Sequence, residues 1–122
     1  MTMTAIGNSG QAWADVIEGT EGTDFIVGTP GDDQIDSKGG NDNNFGDTGF
    51  GDGSGDDVIA SGDGDDQSNG NGGDDYVVGG NGDDTLTGGP GADVFSCGDG
   101  EDTITDYNEA EGDIKAANCE NF

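Results

Sequence analysis

Nine aspartates stand at one fixed place of a nine-residue unit: Asp24, Asp33 and Asp42, then Asp57, Asp66, Asp75, Asp84, Asp93 and Asp102. The chain has no His, so there is no Ser–His or Cys–His pair for nucleophilic or acid–base work. Evenly spaced carboxylates point instead to hard cations. Two residues before each Asp is a glycine: Gly22, Gly31, Gly40, Gly55, Gly64, Gly73, Gly82, Gly91 and Gly100. Gly-rich turns expose backbone carbonyls and permit positive φ. Each unit therefore offers one carboxylate and several carbonyl oxygens. Ca²⁺ takes about six to eight such oxygens at about 2.3 to 2.6 Å, so two stacked turns can close a site.

The turns need strands to hold them. The first full unit is Gly19-Thr20-Glu21-Gly22-Thr23-Asp24-Phe25-Ile26-Val27, with Gly at place four and Asp at place six. Place eight reads Ile26, Ile35, Asn44, Ile59, Ser68, Val77, Leu86, Phe95 and Ile104, mostly apolar in a chain only 28% hydrophobic. One inward apolar residue per nine predicts a short strand per unit and a stacked solenoid. Gly10 to Glu18 reads as a worn copy, with Asp15 and Ile17 in register and Trp13 in place of the Gly. Trp13 is expected to plug the first coil. The beat slips once, at Gly46-Asp47-Thr48-Gly49-Phe50-Gly51, a turn without its strand.

The pattern GGxGxDxUx, where U is a large apolar residue, resembles the nonapeptide of the RTX (repeats-in-toxin) calcium-binding family. The resemblance runs from about Gly19 to Thr105 and is fullest at Gly79-Gly80-Asn81-Gly82-Asp83-Asp84-Thr85-Leu86-Thr87. It implies an all-β fold, a right-handed parallel β-roll with two nonapeptides per coil and Ca²⁺ between stacked turns. The implied ligands are the nine aspartates with carbonyls of turns that include Gly22, Gly31, Gly55, Gly64, Gly73, Gly82, Gly91 and Gly100. The chain departs from the pattern at the slip, at Lys38 in a turn, and at Asn44 and Ser68 at inward places. The stretch Asp106-Tyr107-Asn108-Glu109-Ala110-Glu111-Gly112-Asp113 is similar to the DFxxxxGD segment that often closes such rolls, where the leading Asp, here Asp106, can join the last metal site. Three parts follow: an N-terminal cap with a degenerate repeat over 1–18, the roll over 19–105, irregular at 46–51, and a C-terminal cap over 106–122.

The chain has 122 residues, 28 of them acidic, two Lys and a formal charge of −26. Composition alone describes a disordered acidic polymer, because self-repulsion is large and little apolar surface offsets chain entropy. Cations change that balance: about eight Ca²⁺ would bring −26 to near −10. Folding is thus expected to be coupled to metal. Extracellular Ca²⁺ modules bind at about 10⁻⁴ to 10⁻³ M, which leaves such a chain unfolded in cytosol and folded outside. The expected location is secreted, extracellular or at the cell surface. Nucleic acid and anionic membranes should be repelled. No run of eighteen apolar residues spans a bilayer. Met1 to Gly10 lacks the basic and apolar regions of a secretory leader. That leaves a removed or replaced leader, or a non-classical route read from the C-terminus.

Cys97 and Cys119 flank the last repeat and the tail. In an extracellular setting an even count suggests a bridge that pins the tail to the last coil; two free thiols are the alternative. With no His and two Cys, a zinc site is disfavoured.

Outward places seven and nine of alternate units share a face, and the slip decides which units alternate. Counted as a half-coil, it puts Asp57 over Asp42. It also gathers Phe25, Val27, Phe45, Val58, Tyr76, Val78 and Val94 on one face. Counted as a bulge, it puts Asp57 over Asp33 and mixes the faces. The half-coil separates apolar from polar more cleanly and is the expected reading. So large an apolar stripe is unusual on a soluble monomer. Either a flanking segment such as Met1 to Gly10 covers it, or it is a self-association surface for a dimer or filament. The expected function is a non-enzymatic, calcium-binding structural or self-assembly protein. The alternatives are a Ca²⁺-folded secretion or folding module of a larger system, and a binder of ice or glycan surfaces through Thr85-x-Thr87 and Thr103-x-Thr105.

Overall fold

The computed structural model describes residues 3–6, 15–47 and 55–122, the first of these by its backbone alone. Twelve strands are described: β1 (Met3–Ile6), β2 (Val16–Glu18), β3 (Asp24–Val27), β4 (Gln34–Asp36), β5 (Asn43–Phe45), β6 (Val58–Asp63), β7 (Gln67–Asn69), β8 (Tyr76–Asn81), β9 (Thr85–Thr87), β10 (Val94–Asp99), β11 (Thr103–Ile104) and β12 (Ile114–Lys115). Odd-numbered strands form one parallel sheet, β1-β3-β5-β7-β9-β11, and even-numbered strands the other, β12-β10-β8-β6-β4-β2. The chain crosses from sheet to sheet at every turn. The result is an all-β parallel solenoid of about five turns, consistent with a β-roll, with no helix among the described residues.

Most strands are only two to four residues long and bury one side chain, so none is stable alone; stacking makes the core. Place eight supplies it. Ile17, Ile26, Ile35 and Ile59 form one buried cluster. Val77, Leu86, Phe95 and Ile104 form a second, with Cys97 and Cys119. Between the clusters lie the two polar inward residues, and they are complementary. The Asn44 amide donates to Ser37 Oγ at 2.9 Å and Ser68 Oγ at 3.3 Å. Ser61 Oγ and Ser68 Oγ are 2.6 Å apart, and Ser37 Oγ donates to the Ser61 carbonyl at 2.9 Å. Ser37 and Ser61 occupy place one of their units, so two departures from the pattern are met by two others.

The slip is a bulge and not a half-coil. Ile35 pairs with Ile59 across β4 and β6, and the Asp33 amide donates to Asp57 Oδ1 at 2.7 Å. Asp57 therefore stacks over Asp33, against the expected stacking over Asp42. Six residues are too few for a nine-residue strand and turn. The register places the extra length between Asp47 and Gly55; residues 48–54 lie outside the described residues, as does Trp13. The single apolar face expected above is corrected accordingly. Phe25, Val27 and Phe45 belong to the odd-numbered sheet, and Val58, Tyr76, Val78 and Val94 to the even-numbered one. Nor does Met1 to Gly10 cover a face by way of its described part: Met3–Ile6 pairs edge to edge with Asp24–Val27 as a further rung.

The even-numbered sheet carries its own apolar column. Val16, Gln34, Val58, Tyr76, Val94 and Ile114 are successive partners up the stack. On the other sheet Phe25 and Phe45 stack with ring centroids 5.7 Å apart, and Thr85 and Thr103 pair above them.

Both sheets are closed at the C-terminal end. β12 pairs with β10, and Asn121 bridges Thr103. Cys97 and Cys119 form a disulfide. Tying a loop of 22 residues stabilises the fold by about 3 kcal/mol in the chain-entropy account. Lys115 Nζ lies 3.9 Å from the Phe122 ring centroid, and Tyr107 meets Phe122 edge-on at 5.5 Å. The other cation, Lys38, takes a left-handed turn position at φ 74° and reaches Glu18 at 3.4 Å.

Candidate metal centre

The turns stack as tightly as the strands, and this explains glycine at place four. Gly64 has φ 129°, and a Cβ there would lie 1.9 Å from the Gly40 carbonyl oxygen. Gly82 repeats the arrangement over Gly64, and Gly100 over Gly82. Each place-four carbonyl points up the stack at the next coil's glycine, where a side chain has no room. Gly31, Gly55 and Gly73 do the same along the other turn stack.

The place-six aspartates form two buried ladders. In one, each backbone amide donates to Oδ1 of the Asp one coil on: Asp24 to Asp42 at 2.8 Å, Asp42 to Asp66 at 2.7 Å, Asp66 to Asp84 at 2.9 Å and Asp84 to Asp102 at 2.9 Å. The second runs from Asp15 to Asp33 at 2.8 Å, then to Asp57, Asp75 and Asp93, with 2.9 Å at each of the last two steps. All nine repeat aspartates expected as ligands lie in these two ladders. The residue before each, such as Asp32, Asp56 and Asp74, forms a parallel exposed ladder on the outside.

One carboxylate oxygen per Asp is used up by the ladder. The other, Oδ2, is not. Asp24 Oδ2 accepts from the Thr20 amide at 2.5 Å, and Asp33 Oδ2 accepts from the Thr29 amide. Oδ2 of Asp42, Asp57, Asp66, Asp75, Asp84, Asp93 and Asp102 is buried with no hydrogen-bond partner. Several of these oxygens rest in the space that place-one residues leave by lacking a side chain. A Cβ on Gly79 would meet Asp84 Oδ2 at 2.4 Å and the Cys97 carbonyl oxygen at 2.5 Å. A Cβ on Gly46 would meet Asp57 Oδ2 at 2.2 Å and the Gly70 carbonyl oxygen at 2.5 Å. Carboxylate and carbonyl oxygens thus converge between coils, the donor set a hard divalent cation takes. Among the described residues no three Asp, Glu, His or Cys side chains converge on one point, so such a site combines few carboxylates with backbone carbonyls.

Burial sets the electrostatics. Desolvation, and secondarily the like charge of neighbouring aspartates, pushes Asp57 up to about 8 and Asp75 and Asp84 up to about 7. Asp66 and Asp93 rise to about 6, and Asp42 and Asp102 also rise, all with desolvation as the first cause. The ladder hydrogen bonds offset part of this.

Two residues that sequence reasoning missed end the ladders. The Asp93 amide donates to Asp113 Oδ1 at 3.0 Å, and the Asp102 amide to Glu120 Oε2 at 3.2 Å. Glu120 lies 18 residues after Asp102, the spacing of one coil, so a signal was there. Asp106 sits over the turn that leads to Asp93, accepting from the Gly88 amide at 3.0 Å and the Gly89 amide at 2.7 Å, and its charge is among those that push Asp93 up.

The RTX calcium-binding nonapeptide repeat, in four copies, matches residues 12–43, 44–77 and 69–104. No curated protein and no solved structure matches the chain significantly.

The raised carboxyls give the metal-free chain a signed pH dependence. Asp57, Asp66, Asp75, Asp84 and Asp93 ionise near 3.8 when solvated and near 6 to 8 in the fold. The folded form therefore holds protons more tightly, and this stabilisation is complete below about pH 4 and lost as pH rises through 6 to 8. In EDTA, circular dichroism is expected to show more strand at pH 5 than at pH 8. Strand content that is flat or rises over that range would contradict the assignment of these carboxyls to a buried ladder.

Proposed function

We propose, from the premise that the chain belongs to the RTX calcium-binding nonapeptide repeat family, that it is an extracellular protein whose roll folds when Ca²⁺ enters its two aspartate ladders. The observation that carries this is the row of seven buried Asp Oδ2 atoms without partners. A buried anionic oxygen with no donor costs several kcal/mol of lost hydration unless a cation or proton meets it. In this reading Asp24, Asp33, Asp42, Asp57, Asp66, Asp75, Asp84, Asp93 and Asp102, with turn carbonyls, hold about eight ions. Bound calcium supplies positive charge between coils. Asp113 and Glu120 close the ladders at the C-terminal end, and Asp106 holds the Gly88–Gly89 turn. Residues 1–18 and 106–122 act as the two caps.

A chain of charge −26 with a core one residue wide per strand has little else to hold it together. Circular dichroism at pH 8 is expected to show a largely disordered chain in EDTA and a strand-rich one at millimolar Ca²⁺. A strand-rich spectrum in EDTA at that pH would sink the coupling.

The structural role we propose is self-association through the even-numbered sheet. Its supporting observation is the column Val16, Val58, Tyr76, Val94 and Ile114, interrupted only by Gln34, of which Val16 is 74% exposed, Ile114 61%, Tyr76 42% and Val58 41%. Calcium would favour association by cutting the charge that keeps copies apart. Light scattering in Ca²⁺ should report a mass above 12.2 kDa that the double substitution Val58→Ser, Tyr76→Ser returns to the monomer. A clean wild-type monomer at high concentration in Ca²⁺ removes this role and leaves calcium folding untouched.

A further inference from the structure

The repeat pattern places one inward carboxylate in each turn. One turn here holds two, and the second stands where the slip begins. Gly46 stands in the turn that leads to Asp57: its amide donates to the Asn69 carbonyl at 2.8 Å, just as Gly28 donates to Phe45 and Gly70 to Thr87. Gly28, Gly46 and Gly70 are thus one column, at place one of three successive coils. The next residue in each is Thr29, Asp47 and Asn71. Asn71 confirms the alignment, since its side-chain amide donates to the Asp47 carbonyl at 3.1 Å.

Asp47 therefore occupies place two, where the neighbouring coils carry neutral side chains. It is 1% exposed. Both of its carboxylate oxygens are buried, and neither has a hydrogen-bond partner. Among the described residues it is the only carboxylate with both oxygens in that state. Asp33, Asp57 and Asp75 are its charged neighbours, and the Gly55 and Gly72 amides approach without completing a hydrogen bond. Asp57 Oδ2 is likewise unpartnered and converges with the Gly70 carbonyl oxygen beside Gly46. The expected ligand set, built on place six alone, leaves Asp47 out.

We infer that Asp47 and Asp57 share one calcium ion, in a site that the regular turns lack, and that it is the tightest site of the roll. The inference rests on the calcium reading above. Calcium affinity rises with the number of charged ligands, so a turn with two carboxylates outbinds turns with one. Asp47, the last place in register before the extra residues, puts a second anion into the stack at the coil where Asn44, Ser61 and Ser68 make the core polar. Calcium held there joins the two apolar clusters across their weakest point.

Calorimetric titration of the full chain with CaCl₂ tests this, with circular dichroism at saturation as the check on folding. The comparison is Asp47→Asn against Asp66→Asn, which alters a regular ladder position in the other turn stack. Wild type is expected to show a first class of one ion. Asp47→Asn should weaken that class by about tenfold or remove it, while the strand signal still forms at saturating Ca²⁺. Asp66→Asn should keep the first class and lose affinity among the later ions. A first class unchanged in Asp47→Asn overturns the inference and leaves the calcium reading standing. Wild type that takes up no Ca²⁺ overturns both.

Discussion

A carboxylate oxygen buried without a donor is the constraint on which the rest of this structure depends. Seven place-six aspartates each turn one such oxygen into the space between coils, and Asp47 adds two more. Water is excluded from these positions, and neighbouring aspartates add repulsion. Among the described residues no side chain balances the deficit, and the two lysines of the chain, Lys38 and Lys115, are engaged at Glu18 and over Phe122. Balance must come from outside, as a proton or a metal ion. The two compete for the same oxygens, so acidity and calcium act on the roll as alternatives.

Other features follow from making that space. Glycine at place four lets carbonyls approach the coil above to the limit of contact, and glycine at place one leaves room for Oδ2. Strands stay short because each only connects two turns. The core is a single file of side chains, broken in the middle by Ser37, Asn44, Ser61 and Ser68. A file this thin cannot tolerate frayed ends, and the C-terminal end is held by the disulfide, by β12 and Asn121 at the sheet edges, and by Asp113 and Glu120 at the ladders.

Much of this was legible in the sequence because spacing carries it. Asp at place six, Gly at place four and an apolar residue at place eight recur every nine residues, and a period of that kind has few structural solutions. The fold class follows from it, as does the stacking of place-six aspartates on either side of the slip, while the Cys97–Cys119 bridge was suggested by the even cysteine count. What spacing could not carry was the effect of breaking it. An insertion of six residues leaves the same repeats on either side whether it builds a half-coil or swells a turn. The cleaner separation of apolar and polar faces favoured the half-coil, and that preference was misleading. Sheet register, set by inward Ile35 against Ile59, outweighs the tidiness of an outer face. Asp47 was hidden for the same reason: its burial is apparent only once Gly46 is aligned with Gly28 and Gly70. Asn44 and Ser68 looked like defects because their partners, Ser37 and Ser61, sit seven residues away across a turn.

The central claim is that cations occupy the spaces beside the unpartnered oxygens and hold the coils together. A crystal structure grown in Ca²⁺, with anomalous diffraction collected at long wavelength, tests it most directly. The account predicts anomalous peaks between successive coils, about 2.3 to 2.6 Å from Oδ2 of Asp57, Asp66, Asp75, Asp84 and Asp93, with carbonyl oxygens completing each shell. A folded roll whose Oδ2 atoms meet only water or neighbouring carboxyls, with no anomalous peak between the coils, would contradict it.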